Sequence, residues 1–328
     1  CYIWLSLTLL HAWPMHDQIL EQLLVLAGSL ALLVLGAEGL VRGAAGAARR
    51  LGIPALVIGL TVVAFGTNSP ELLVNARAAA SGHAVIGLGN VVGANISNVL
   101  LILGLAALVR PLRVRPELVR REVPLLVVAT LLLVGLLWDR TLSRFDGGLL
   151  LAGAAAYLTA EVLIGRRNNR LPRAGGLPAD PRPFAKTWLY LFGGLAALLV
   201  GAWFLLGSSV VLAERLGMSE VAIGLTVVAL GTSLPELATT VVAAAHGHDD
   251  VALGNAIGSS ILNILLILGL TAVIHPIEIE ALRLVDTTVL VSSAVVLVPM
   301  LWSDRQVSRL EGGVLVLGYV GYLVSLIP

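Results

Sequence analysis

The chain has 328 residues, 58% of them apolar and 12% charged, and its mean hydropathy is +0.95. A soluble domain cannot bury so much apolar surface, and a net charge of +1 without a basic stripe beyond its loop arginines argues against a nucleic-acid partner. The single cysteine, Cys1, excludes internal disulfides and thiolate metal clusters.

Residues 1–18 form an N-terminal segment in which Cys1 to Trp13 is apolar but too short to span a bilayer; translation is expected to begin at Met15, with the preceding residues upstream of the native chain. Beyond it lie ten apolar runs, near 19–41, 53–80, 85–109, 122–138, 147–165, 187–212, 218–245, 250–274, 285–302 and 311–327. Each is long enough to cross a hydrocarbon core of roughly 30 Å. Lipid offers exposed backbone no partners and the alternation of a barrel strand is absent, so the runs are helical. The expected fold is an all-α membrane protein of ten transmembrane helices: a five-helix repeat at 19–165, a basic linker at 166–186 and a second five-helix repeat at 187–328.

A constant offset of 165 residues aligns the halves without a gap. Ile58 to Leu72 matches Ile223 to Leu237 at 12 of 15 positions, and Gly89 to Leu105 matches Gly254 to Leu270 at 11 of 17. Five spans are an odd number, so the second copy enters the membrane upside down, a transporter signature. With the amino terminus outside, 16 of the 21 Lys and Arg residues fall in cytoplasmic loops, the linker among them. Both termini are then extracytoplasmic, in a multi-pass protein of the cell (inner) membrane.

The second run is interrupted by Gly66-Thr67-Asn68-Ser69-Pro70-Glu71, and the seventh by Gly231-Thr232-Ser233-Leu234-Pro235-Glu236. Proline lacks an amide hydrogen and disturbs the carbonyl four residues earlier, so helices two and seven are expected to break there. Freed carbonyls beside a carboxylate at the start of a half-helix make an oxygen cage for a hard cation. A carboxylate at mid-membrane costs about 2.5–3.5 kcal/mol on insertion scales. Two at matching positions, Glu71 and Glu236, read as a cation site rather than as helix-to-helix glue.

The third and eighth spans add a second polar surface. Asn90, Ala94 and Asn98 share one helical face, as do Asn255, Ser259 and Asn263, and Gly89, Gly93, Gly254 and Gly258 let that face approach a neighbour closely. Facing broken helices that hold carboxylates, these polar residues look like ligands. Glu38 has no mate, since its matching position is Trp203, and it is expected to make a structural contact or to lie near the membrane surface rather than to take part in transport. Glu161 and Asp286, near span ends, are expected to be solvated. His246, His248, Asp249 and Asp250 have metal-like types but fall in a short connection matched only by His83, and a solvated loop is expected.

On these motifs the sequence resembles the sodium/calcium exchanger family of the cation/calcium antiporter superfamily, in its prokaryotic form, over nearly all of 19–327. The resemblance implies ten helices in two inverted repeats and sites for both ions. Glu71 and Glu236 would be shared carboxylate ligands, joined by Thr67 and Thr232. Ala64 and Ala229 would give backbone oxygens, Ser259 a hydroxyl, and Asn98 and Asn263 central side chains, with Asn68 and Ser233 at matching motif positions. Three departures stand out: Ala94 lacks the serine hydroxyl found at Ser259, Asn68-Ser69 replaces Ser-Leu, and Asn263 stands where some members have Asp.

The expected function is therefore a membrane antiporter, not an enzyme, exchanging sodium for calcium by alternating access, with Ca2+ and Na+ as cargo and no cofactor. A proton/cation antiporter, using the same glutamates for protons, is the nearest alternative. A cation channel fits inverted repeats less well, and an intramembrane enzyme lacks a nucleophile or histidine at the depth of the glutamates.

Overall fold

The computed structural model describes residues 15–82, 84–169, 183–215, 229–278, 283–303 and 305–326. The first half holds α1 (Met15–Leu51), the broken pair α2 (Ala55–Thr67) and α3 (Ser69–Ala80), α4 (Ala84–Val109), β1 (Leu112–Arg113), α5 (118–136), β2 (Thr141–Leu142) and α6 (Arg144–Asn169). The second holds α7 (184–215), α8 (Ala229–Thr232), α9 (Leu234–Ala245), α10 (Asp249–Ile274), β3 (Ile277–Glu278), α11 (Leu284–Ser303), β4 (Gln306–Val307) and α12 (Arg309–Leu326).

Among the described residues, 7 helices are long and apolar enough to cross a membrane, or 8 if the bent pair α2–α3 is one span. Two of the ten expected runs account for the difference. The apolar part of α5 is only Val123–Leu136, because Arg120, Arg121 and Glu122 occupy a wide π turn before it. The seventh run divides at Ser233, and its first part, 216–228, lies outside the described residues. Four two-residue strands, too short to register as periodicity, amend the all-helical expectation.

Those strands relate the halves. β1 pairs antiparallel with β4 through Leu112 and Val307, and β2 pairs with β3 through Leu142 and Ile277. Adding 165 turns Leu112 into Ile277 and Leu142 into Val307, so each pairing is the image of the other. Because α5 leads from β1 to β2 while α11 leads from β3 to β4, these corresponding helices run in opposite directions. Left-handed backbone obeys the same offset: Gly82 (φ 79°) matches Gly247 (74°), and Arg140 (61°) matches Arg305 (52°).

Burial is concentrated on two helices. In α4 and α10, 78% of the most apolar stretch is buried, against 28% in α6, α7 and α11, whose outer faces meet lipid. Small residues let these helices close up. A Cβ on Gly104 would lie 2.9 Å from the Gly312 carbonyl oxygen, and one on Gly147 2.7 Å from that of Gly269, two contacts that exchange under the offset. α1 and α7 pack along their lengths in the same way, with Gly36 against Leu198 and Gly201 against Leu33.

Candidate cation site

The predicted breaks are present. α2 and α3 meet at Asn68 with a bend of 47°, and α8 gives way to α9 at Ser233. Pro70 and Pro235 sit in the first turns of α3 and α9, where no amide hydrogen is needed, and Glu71 and Glu236 follow in the same turns. Unbonded amides at a helix start favour negative charge there.

Both carboxylates are buried, Glu71 at 2% and Glu236 at 1% exposure. Neither carboxylate oxygen of Glu236 has a hydrogen-bond partner, and Glu71 Oε2 has none either. α10 supplies the adjoining wall. Its Gly254 and Gly258 lie against the backbone of Leu56 and Leu60, where an added Cβ would come within 2.9 and 2.8 Å. That approach brings Asn255 Oδ1 to 3.1 Å from the Thr67 hydroxyl and the Ser259 carbonyl to 3.3 Å from Asn68 Nδ2.

The chemistry of the site lies in oxygens that the protein leaves unbonded. Asn68 Oδ1, Glu71 Oε2, Asn98 Oδ1, Glu236 Oε1 and Oε2, Ser259 Oγ and Asn263 Oδ1 are all buried without a hydrogen-bond partner. Each such atom costs about 1–3 kcal/mol unless something satisfies it. A hard cation takes six to eight oxygens of this kind. Asn98 and Asn263 both lie in wide π turns (Ser97–Ile102 and Asn263–Leu268), a distortion frequent at functional sites, and the first of these packs on α9.

Other expected ligands fit unevenly. Thr232 and Ser233 are buried at 4%. The Ala64 carbonyl already accepts the Asn68 amide at 3.0 Å, keeping its second lone pair when the Thr67 hydroxyl donates to Asn255. Ala229 opens α8, and its side chain is outside the described residues. Ser69 is half-buried and bonded to the Phe65 carbonyl at 3.3 Å, whereas Asn68 is buried. Asn255, expected to be a ligand, is not free: its Oδ1 accepts from Thr67, and its Nδ2 donates to the Glu236 carbonyl and the Thr240 hydroxyl. Sequence reading missed Thr240, Asn75 and Asn95; the first two stand one turn after the glutamates and match each other under the offset, a usable signal.

Glu161 is a correction, being 1% exposed and paired with Arg121 at 2.6 Å rather than solvated. Asp286 is also engaged, by Arg283 and Tyr322, each at 3.1 Å. Glu38 makes its expected structural contact, an ion pair with Arg42. In the histidine-rich connection Asp250 pairs with Arg115 at 2.7 Å and Asp249 accepts the Arg113 amide at 3.2 Å. Among the described residues no group of three or more His, Cys, Asp or Glu could hold a metal, and His83 lies outside them.

A multi-pass helical bundle with paired carboxylates and unbonded oxygens at two broken helices is the framework of a membrane cation transporter. Comparison with known proteins makes the class specific. Residues 21–163 and 186–327 match the family described as sodium/calcium exchanger protein. CaxA of Alkalimonas amylolytica is 40% identical over 313 residues, covering 91% of this chain and 96% of that protein. The inner membrane protein YrbG of Escherichia coli is 38% identical over 323 residues, covering 94% and 97%. A solved structure of the sodium-calcium exchanger NCX_Mj, soaked with Na+ and Sr2+, superposes with a TM-score of 0.81 at 28% identity, covering 94% and 99%. The chain belongs to the sodium/calcium exchanger family, and it is a transmembrane antiporter of that family.

Proposed function

We propose that this chain exchanges sodium for calcium by alternating access at a midplane site built on Glu71 and Glu236. The observation that carries the reading is the burial of two carboxylates, each in the first turn after a broken helix, among side-chain oxygens that have no protein partner. Two carboxylates neutralise one Ca2+ or partly balance several Na+, and the bare site resists crossing, so competing ions exchange through one place. Asn68 stands in for the hydroxyl missing at Ala94: its Nδ2 is held by the Ser259 carbonyl, and its Oδ1 remains for an ion.

We further infer ten spans in two inverted repeats, because the strand pairings and the left-handed residues exchange under one offset and α5 and α11 run oppositely. α1 and α7, joined along their small residues, would slide as a unit against α2–α4 and α8–α10. The distribution of positive charge puts both termini outside the cell (inner) membrane, where the bacterial relative YrbG is named as residing. The chain acts as a carrier rather than an enzyme and needs no cofactor.

The test is calcium-45 uptake into proteoliposomes under an imposed sodium gradient and, separately, a pH gradient. Uptake driven by sodium supports the reading. Uptake driven only by the pH gradient would make the chain a proton/cation antiporter.

A further inference from the structure

Asn263 opens the wide π turn of α10 and is 1% exposed, and the two atoms of its amide have different fates. Nδ2 donates to Asn95 Oδ1 on α4 at 3.5 Å, whereas Oδ1 is buried without a partner. Asn95 is itself buried, just before the π turn of α4, in a stretch that packs on the π turn of α10. Two facing amides can pair in either polarity. With Asn263 as donor, the atom left over on Asn263 is an oxygen, which suits a cation. With Asn263 as acceptor it would be an NH2 group, which a cation repels.

The atom that Asn95 leaves over argues against its being a ligand. Its side-chain oxygen is spent on Asn263, and the atom without a partner is Nδ2, a donor. Among the described residues the contact has no image in the repeat. Adding 165 turns Asn95 into Ser260 and Asn98 into Asn263, so the image would join Ser260 to Asn98. Ser260 Oγ donates instead to the Ala256 carbonyl of its own helix at 3.0 Å, and both amide atoms of Asn98 are buried without a partner. One central amide is therefore oriented by the protein and the other is not.

We propose that Asn95 is a positioning residue that turns the Asn263 amide so that its oxygen, and not its NH2 group, faces the ion. Asn98, lacking such a partner, is turned by the ion itself. The contact joins α4 to α10, and both belong to the body against which α1 and α7 slide in the proposed cycle. The Asn263 oxygen thus stays presented in both access states. The inference rests on the exchanger reading, in which Asn263 Oδ1 is a ligand, and adds to it a residue that touches no ion.

Equilibrium binding of calcium-45 to the purified full chain tests it. Asn95→Leu removes the acceptor at similar volume and is expected to weaken calcium binding about three- to tenfold, the worth of one neutral hydrogen bond. In an Asn263→Asp background the same substitution brings no loss, because both terminal atoms of a carboxylate are oxygens and need no turning. A merely structural role for Asn95, or direct ligation by it, would persist in that background, so losses of similar size in both would overturn the proposal. Unchanged binding in Asn95→Leu alone would overturn it as well. Ser260→Ala, at the same place in the other half, leaves binding unchanged, and a loss there as large as in Asn95→Leu would count against an orienting role. If Asn95→Leu does not fold, Asn95→Ser withdraws the oxygen by one bond from a contact already at 3.5 Å and must weaken calcium binding with the same dependence on Asn263. Absence of sodium-driven uptake in the unaltered chain would sink the exchanger reading alone, since calcium binding still reports on the pair. Absence of calcium binding as well would overturn both.

Discussion

Replacing Glu236 with Gln removes one negative charge from the site at nearly constant shape, and the two cargo ions should respond unequally. With the ion about 3 Å from the centre of charge and an effective dielectric constant of about 20, the lost attraction is about 11 kcal/mol for a divalent ion and about 5.5 kcal/mol for a monovalent one. The amide oxygen and the lower desolvation cost of a neutral side chain offset much of both figures, but a similar offset for both ions leaves the divalent ion with the larger loss, because the lost attraction scales with the ion's charge. The partner carboxylate, Glu71, remains buried and keeps half of the opposing charge. Equilibrium binding of calcium-45, competed with sodium, should therefore show calcium affinity falling by at least about a thousandfold and sodium affinity by a much smaller factor. Size-exclusion chromatography establishes that the variant is folded. An equal loss for both ions in folded protein, or a larger loss for sodium, would refute a site in which this carboxylate opposes the charge of the ion.

Ala94→Ser alone should strengthen sodium binding modestly or crowd Asn68, whereas Asn68→Ser alone should weaken it and the Ala94→Ser/Asn68→Ser pair should restore it; sodium-dependent exchange kinetics decide, and strictly additive effects would separate the two positions. Gly258→Val places a side chain against the Leu60 backbone, where even a Cβ would come within 2.8 Å, and should cost about 1–3 kcal/mol in thermal unfolding by forcing α10 from α2. Arg121→Ala strands Glu161, now paired at 2.6 Å, and should destabilise by about 3–5 kcal/mol, with Glu161→Gln in the same background recovering part of the loss. A cysteine at Ala174 should react with an impermeant reagent only after cells are opened, and labelling of intact cells would reverse the topology.

The parts of the site that sequence revealed are those where a local cause suffices. Proline after glycine in an apolar run breaks a helix wherever it stands, so the bends at Asn68 and Ser233 and the placing of Glu71 and Glu236 in the turns that follow could be read directly. The four-residue spacing of Asn255, Ser259 and Asn263 placed them on one face but could not show that the Asn255 amide is taken up by Thr67, Thr240 and the Glu236 carbonyl. Whether an amide on such a face meets an ion or another side chain depends on what stands opposite, and Thr67 is 188 positions from Asn255. The same limit explains Glu161: forty positions from Arg121, it reads as a solvated span end until the two helices are packed together. The strand pairs escaped notice because two residues carry no period.

Duplication makes both halves legible, and departures from it are where the two halves of the proposed site differ. Asn68 and Ala94 stand opposite Ser233 and Ser259, so one half offers an amide where the other offers hydroxyls. An amide oxygen is a neutral donor fixed by its own nitrogen, here on the Ser259 carbonyl at 3.3 Å, whereas a hydroxyl turns freely. In the proposed cage the first half would thus contribute the more rigid oxygen. A rigid cage discriminates by size more sharply than a flexible one. Selectivity among cations of equal charge should therefore depend more on Asn68 than on Ser233, although the two occupy the same place in the repeat.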